Sequence, residues 1–83
     1  MYHIYILKCS DGSLYTGFAK DLGKRLEVHR KGLGSKYVRA RLPFELVYTE
    51  EFEDKIKAYQ REYEIKRWSR ERKIREFKLV IKN

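Results

Sequence analysis

The chain has little with which to cross-link itself or to cross a membrane. Its 83 residues include one cysteine, one proline and one methionine. A lone thiol, Cys9, excludes an internal disulfide, and no Cys–His spacing suits zinc. Cys9 reads as a small strand residue beside a turn, in a chain suited to a reducing cytoplasm. No apolar run approaches the roughly 20 residues of a membrane-spanning helix. The N-terminus opens directly on a strand pattern rather than on a charged leader with an apolar centre. No repeat, linker or low-complexity tract interrupts the sequence, so the expectation is a single domain, 1–83, with a modest core.

Charge is what the chain has in abundance. Lys and Arg number 20 against 12 Asp and Glu, for a formal net charge of +8 at pH 7. The excess is uneven: residues 1–23 are neutral overall, 24–41 carry +6, 42–54 carry −5 and 55–83 carry +7. Two basic blocks separated by an acidic strand and turn imply a directed positive surface, suited to a nucleic acid. A solvated basic face is the plain alternative. A membrane surface is disfavoured, because the C-terminal helical segments show no clean Trp or Leu face for insertion.

The N-terminal third carries the most information. Tyr2–Cys9 and Ser13–Phe18 are rich in β-branched and aromatic residues and read as two strands. A two-residue Asp-Gly turn between them would pair Tyr5 with Phe18 and put Tyr5 and Tyr15 on opposite faces. A three-residue loop, Ser10-Asp11-Gly12, places Gly12 at the left-handed position that follows a type I turn. It pairs Cys9 with Ser13, Leu7 with Tyr15 and Tyr5 with Gly17. Ile4, Ile6, Leu14 and Phe18 then share one apolar face, and Tyr5, Tyr15 and Gly17 share the other. This second register accounts better for the apolar pattern and leaves open space across from Tyr5, where Gly17 has no side chain.

Asp21 reads as the N-cap of a helix in which Leu22, Leu26 and His29 recur at helical spacing, until Gly32 and Gly34 end it. Arg25 and His29, four apart, lie one turn apart on one side. Gly32–Leu42 reads as a basic connection holding Lys36, Tyr37, Arg39 and Arg41, closed by Pro43. Phe44–Phe52 reads as a third strand. Asp54 caps a helix through about Trp68, and Ser69 caps a last one through about Phe77. The expected architecture is α/β (α+β): a small, largely antiparallel three-stranded sheet flanked by helices, in the order β-β-α-β-α-α. Arg25 and Glu62 are expected to face the Tyr5 side of that sheet.

Taken singly, Arg25 and Glu62 are ordinary solvated helix residues and His29 a core filler. Trp68 reads as a residue that closes the core. Two tyrosines ten residues apart on a hairpin, followed by an arginine and a histidine, exceed what packing requires. They suit the phenol and guanidinium half of a phosphodiester-cleaving site, for which Glu62, bordering the apolar stripe of Ala58 and Ile65, is the candidate carboxylate.

The chain resembles the GIY-YIG nuclease superfamily, specifically its small single-domain members. The resemblance runs through His-Ile-Tyr-Ile-Leu-Lys-Cys at 3–9, Asp-Gly-Ser-Leu-Tyr-Thr-Gly at 11–17 and Asp-Leu-Gly-Lys-Arg-Leu-Glu-Val-His at 21–29. It continues through Ser-Lys-Tyr at 35–37, Leu-Val-Tyr at 46–48 and Arg-Glu-Tyr-Glu-Ile-Lys-Arg-Trp-Ser-Arg at 61–70. His3 and Thr16 replace the glycine and isoleucine of the family's name. Phe18 stands where some branches carry a lysine, and the region of Ile74 lacks their asparagine.

The resemblance implies a catalytic set of Tyr5, Tyr15, Arg25 and His29, with Glu62 holding one divalent cation, Mg²⁺ or Mn²⁺. One carboxylate, completed by water and phosphate oxygens, suits Mg²⁺. Tyr5 is the favoured proton acceptor by resemblance, with Tyr15 and His29 positioning water and phosphate. Lys36, Tyr37, Arg39 and Arg41 are candidates for nucleic-acid contact, and Gly12, Gly17 and Trp68 for structural roles. The leading function is a metal-dependent DNA endonuclease of repair or recombination, with RNA not excluded. The alternatives are a weak or inactive nucleic-acid-binding module and a subunit of a larger complex. Substrate architecture and oligomeric state stay open.

Overall fold

Strand β1 (Tyr2–Lys8) runs through the middle of an antiparallel sheet, between β2 (Leu14–Ala19) and β3 (Glu45–Phe52). The computed structural model describes residues 1–81, so the last two residues of the expected 1–83 domain lie outside the described residues. Helices α1 (Leu22–Arg30) and α2 (Lys36–Arg39) separate β2 from β3, and α3 (Lys55–Lys66) and α4 (Arg70–Glu76) follow. This is the expected α+β order with one addition. The single turn α2 lies within the stretch read as a basic connection, where the Ser35 side chain caps Val38 N–H and Val38 is buried. None of these helices is long and apolar enough to cross a membrane.

The hairpin has the three-residue loop. Tyr5 pairs with Gly17 and Leu7 with Tyr15, Gly12 has a φ of 84°, and Gly12 N–H donates to Cys9 O at 2.9 Å. Asp11 steadies the turn by accepting from Ser13 N–H at 3.0 Å. From the far end of the chain, Arg70 Nε donates to Gly12 O at 2.8 Å.

Both faces of the sheet are covered. Tyr5, Leu7 and Ala19 pack with Leu26 of α1 and Val38 of α2, joined by Tyr15, Leu22, Leu42 and Phe44. Ile4 and Ile6 pack with Ala58 and Ile65 of α3, joined by Phe18, Trp68 and Phe77 among others. This double burial explains why β1 reads as a nearly continuous apolar run rather than as an alternation. It also corrects one expectation. Helix α3 lies on the Ile4 face, opposite Tyr5 and α1, so Glu62 does not rise from the same side as Arg25. The apolar stripe of α3 needs the apolar face of the sheet, and the Tyr5 face is already filled by α1, α2 and Phe44.

One ion pair secures α3 to β3. Arg61 donates from Nε and Nη2 to the two carboxylate oxygens of Glu50, each at 2.9 Å, and Tyr48 Oη donates to Glu50 at 2.5 Å. The Arg61 guanidinium also lies over Trp68 and Phe77, at 5.4 and 5.5 Å from their centroids. Burial works to raise the Glu50 pKa, but hydrogen bonds from Arg61 and Tyr48 prevail and hold it below the usual range. Removing the guanidinium leaves a half-buried carboxylate with one partner, and hydrogen bonds to charged groups contribute about 2 kcal/mol each. Arg61→Ala is therefore expected to destabilise the fold by about 2 kcal/mol or more in urea denaturation. The double variant with Glu50→Gln should cost less than the sum of the two single changes.

Candidate active site

Tyr5 and His29 form the centre of the site. Both are fully buried, and Tyr5 Oη lies 2.8 Å from His29 Nε2. Tyr5 reaches this partner because its ring passes over Gly17. A Cβ at Gly17 would fall 2.3 Å from Tyr5 Cζ and from Tyr5 Oη, so any side chain there would displace the phenol. Burial pushes the Tyr5 pKa up to about 12, and Arg25, as a nearby donor and charge, opposes that without prevailing. The same burial, with the Arg25 charge second, pushes His29 below its ordinary value. The pair is therefore a neutral phenol and a neutral imidazole at pH 7.

Arg25 sits one turn before His29 on α1. Its Nη2 donates to Gly34 O at 3.1 Å, while its Nε is buried without a hydrogen-bond partner. A buried guanidinium N–H without an acceptor is costly, and the same arginine lines a cleft beside α1. Gly34 serves the site twice. Besides accepting from Arg25, it lies flat against His29, where an added Cβ would stand 2.7 Å from Nδ1. The sequence marked Gly34 only as a helix terminator. Its place three residues before Tyr37, in a basic loop, was the available hint.

Tyr15 is half-buried and shares the Tyr5 face, its centroid 6.4 Å from Tyr5 and 5.6 Å from His29. Its ring stacks on exposed Tyr37 at 6.0 Å. Arg41 covers Tyr37 at 3.8 Å and is bound to Asp11 at 2.9 Å and to Tyr37 O at 3.0 Å. Arg41 thus ties the hairpin tip to α2, while Lys36 and Arg39 stand exposed beside it. The other side of α1 opens into a cleft of about 330 Å³, whose lining includes Phe18, Lys20, Lys24 and Arg25. Trp68 packs against the Ile4 cluster.

Of the two carboxylates on α3, Glu64 pairs with Arg61 and Glu62 faces the sheet. It lies on the same stripe as buried Ala58 and Ile65, is 17% exposed in its side chain, and pairs with Lys66 at 3.2 Å. Although α3 occupies the other face, β2 is the strand it packs against most, and Tyr5 leans over Gly17 of that same edge strand. Accordingly, the Glu62 charge contributes to raising the Tyr5 pKa. Among the described residues no group of three or more His, Cys, Asp or Glu gathers around a potential metal. A single carboxylate fits an ion that keeps most of its waters, as Mg²⁺ does.

His29 gives the site a pH signature. Unfolded, it takes up a proton below about pH 6.5, while the native state resists doing so. Stability is therefore expected to fall as pH drops through about 6.5 toward the lowered native value. Urea titrations between pH 5 and 7.5 should show this slope in the wild type and a flatter one in His29→Gln. Gly34→Ala should destabilise the protein at pH 7.5, because its Cβ drives the imidazole off Tyr5.

The chain is similar to known proteins in both sequence and fold. The GIY-YIG catalytic domain model matches residues 1–75. A UPF0213 protein of Staphylococcus aureus strain N315 is 56% identical over 72 residues, covering 87% of this chain and 88% of the relative. The solution NMR structure of the UPF0213 protein BH0048 from Bacillus halodurans is similar at 44% identity and a TM-score of 0.62, covering 94% of this chain and 84% of that one. That of the protein EF2693 from E. faecalis is similar at 34% identity and a TM-score of 0.66, covering 93% and 82%. The match is to a family of nucleases that generally use a divalent metal and act on nucleic acid, and the solved relatives share the fold. This chain belongs to the GIY-YIG catalytic domain family.

Proposed function

We propose that this chain is a metal-dependent endonuclease that hydrolyses phosphodiester bonds in DNA, in repair or recombination. The observation that carries the reading is the buried Tyr5 Oη–His29 Nε2 hydrogen bond beside an arginine whose Nε has no partner. A structural role alone does not call for an unsatisfied guanidinium N–H next to a neutral phenol–imidazole pair.

Hydrolysis needs a proton removed from water and negative charge offset on the phosphoryl oxygens. A phenol with a pKa near 12 is a poor acceptor through its anion at neutral pH. As one end of a relay it serves well. Tyr5 Oη takes the proton from water while passing its own to His29 Nε2, so the charge gained ends on the imidazole. Burial is the larger cause of the lowered His29 pKa and the Arg25 charge the smaller; a phosphate arriving at Arg25 offsets the second and makes the imidazole a better acceptor to that extent. Arg25 directs its planar donors at the phosphate, and Tyr15, held by its stack on Tyr37, orients the water or a phosphoryl oxygen. A divalent cation held by Glu62 would supply Lewis-acid stabilisation of the developing charge. Lys36, Arg39 and Arg41 would contact the backbone of the nucleic acid. DNA is the favoured substrate, and RNA belongs in the same assays.

A second reading is favoured by two observations. Phe18, where some branches carry lysine, is locked into a stack with Tyr59 at 4.3 Å, and Glu62 is neutralised by Lys66. A nucleic-acid-binding module of low catalytic power fits both facts.

The two readings are separated by measuring cleavage and binding independently. Glu62→Gln should abolish Mg²⁺-dependent nicking while DNA binding survives. Arg25→Ala should slow cleavage by about 10²–10³-fold, the usual cost of losing one stabiliser of developing charge. Wild-type binding without nicking in Mg²⁺ or Mn²⁺ would select the second reading, and wild-type cleavage by Glu62→Gln would remove Glu62 from the site. Neutralising Lys36 and Arg39 should weaken binding alike for all sequences and flatten its salt dependence.

A further inference from the structure

The outward face of α3 carries more aromatic surface than the fold uses. Ile56, Tyr59 and Tyr63 recur at helical spacing and are 67%, 46% and 66% exposed. Where α3 passes into α4, this stripe enters an open groove of about 650 Å³ lined by Gln60, Tyr63, Glu64, Arg67, Trp68 and Arg72. The groove pairs each ring with a cation. The Arg67 guanidinium is 5.5 Å from the Tyr63 centroid, and that of Arg72 is 4.3 Å from Trp68. Trp68 has a packing role against the Ile4 core. Tyr63, two-thirds exposed, contributes almost nothing to burial.

We propose that the α3–α4 groove binds a single-stranded segment of nucleic acid next to the candidate catalytic centre, an unpaired base stacking on Tyr63 while Arg67 and Arg72 meet its phosphates. The proposal rests on the nuclease reading and deepens it by naming a substrate class. Charge complementarity selects a polyanion, since residues 55–83 carry a net +7. The rings select unpaired bases: inside a duplex both faces of a base are already stacked, whereas an unpaired base offers a free face to a tyrosine. Arginine beside each ring adds cation–π attraction for base and ring alike.

The groove and the centre are linked along α3. Glu62 directly precedes Tyr63 on α3. Tyr59, four residues earlier, stacks on Phe18, which lines the same cleft as Arg25. The aromatic shelf therefore runs from the edge of the site to the groove, and Phe18 becomes part of a path for bases rather than a lost phosphate contact.

The test is fluorescence anisotropy of the full chain in EDTA, so that binding is read without cleavage. The probes are a labelled DNA single strand of about 15 nucleotides, its blunt duplex, and the duplex with a five-nucleotide overhang. The single strand and the overhang should bind more tightly than the blunt duplex. Tyr63→Ala should weaken both by about tenfold, the order of one lost base stack, and leave the blunt duplex unchanged. Tyr63→Phe should bind as the wild type does. Arg67→Gln should weaken all three probes and reduce their salt dependence. Tyr63 is exposed, so its variants should keep the wild-type circular dichroism and melting behaviour.

Equal binding of single strand and blunt duplex, or a Tyr63→Ala variant with wild-type affinity for the single strand, would overturn the proposal. So would a sedimenting dimer of the wild type that Tyr63→Ala dissociates, because the stripe would then be covered by a second copy. Failure of the catalytic reading is distinguishable. In that case Glu62→Gln cleaves normally, or nothing cleaves, while the Tyr63 dependence of single-strand binding persists.

Discussion

Tyr5 stands opposite Gly17 in the β1–β2 ladder, and the phenol fills the volume a side chain on Gly17 would need. From that pairing follow the lean of Tyr5 toward the edge strand, its reach to His29, and its exposure to charges on both faces of the sheet. The pairing depends in turn on a loop of three residues with Gly12 at positive φ. A register one residue different would move every hairpin side chain to the other face. The turn is accordingly held from three sides, by Asp11 on Ser13, by Arg41 on Asp11 and by Arg70 on Gly12 O.

The polar groups on the two faces of the sheet have contrasting roles. On the α3 side, Arg61, Glu50 and Tyr48 satisfy one another, and the result is a clamp between helix and strand. On the α1 side, Arg25 Nε and His29 Nδ1 are buried and have no hydrogen-bond partner. Buried polar groups are nearly always paired, and the α3 side has an exception of its own in Thr16 Oγ1, opposite Ile6 in the ladder, so what sets Arg25 and His29 apart is that both are ionisable groups beside the Tyr5 phenol. Glu62 lies between these roles, on the packed stripe of α3 yet electrostatically felt by Tyr5 across the β2 edge.

Much of the architecture was legible from local signals. The hairpin register followed from which residues would share a face, because strand side chains alternate strictly and only one loop length gathered the apolar ones. Asp21, Asp54 and Ser69 announced three helix starts through capping chemistry, and each caps as expected. The turn α2 was less visible, since a helix of four residues has no periodicity to read and rests on one cap and one buried valine. Helix α3 ends at Lys66 rather than Trp68, where the chain must turn to begin the Ser69-capped α4.

By itself, the sequence determined the order of elements, the face shared by Tyr5 and Tyr15, and the positions of Arg25, His29 and Glu62 along their helices. These are properties of short-range spacing, at period 2 in strands and about 3.6 in helices. Tertiary structure decided which face of the sheet each helix covers. That choice depends on which apolar surfaces remain unburied once the others have packed, and no single helix contains the information. It put α3 opposite α1, brought Gly34 from a loop onto His29, and left Tyr63 facing solvent, because contacts between residues distant in sequence are settled only when the whole core closes.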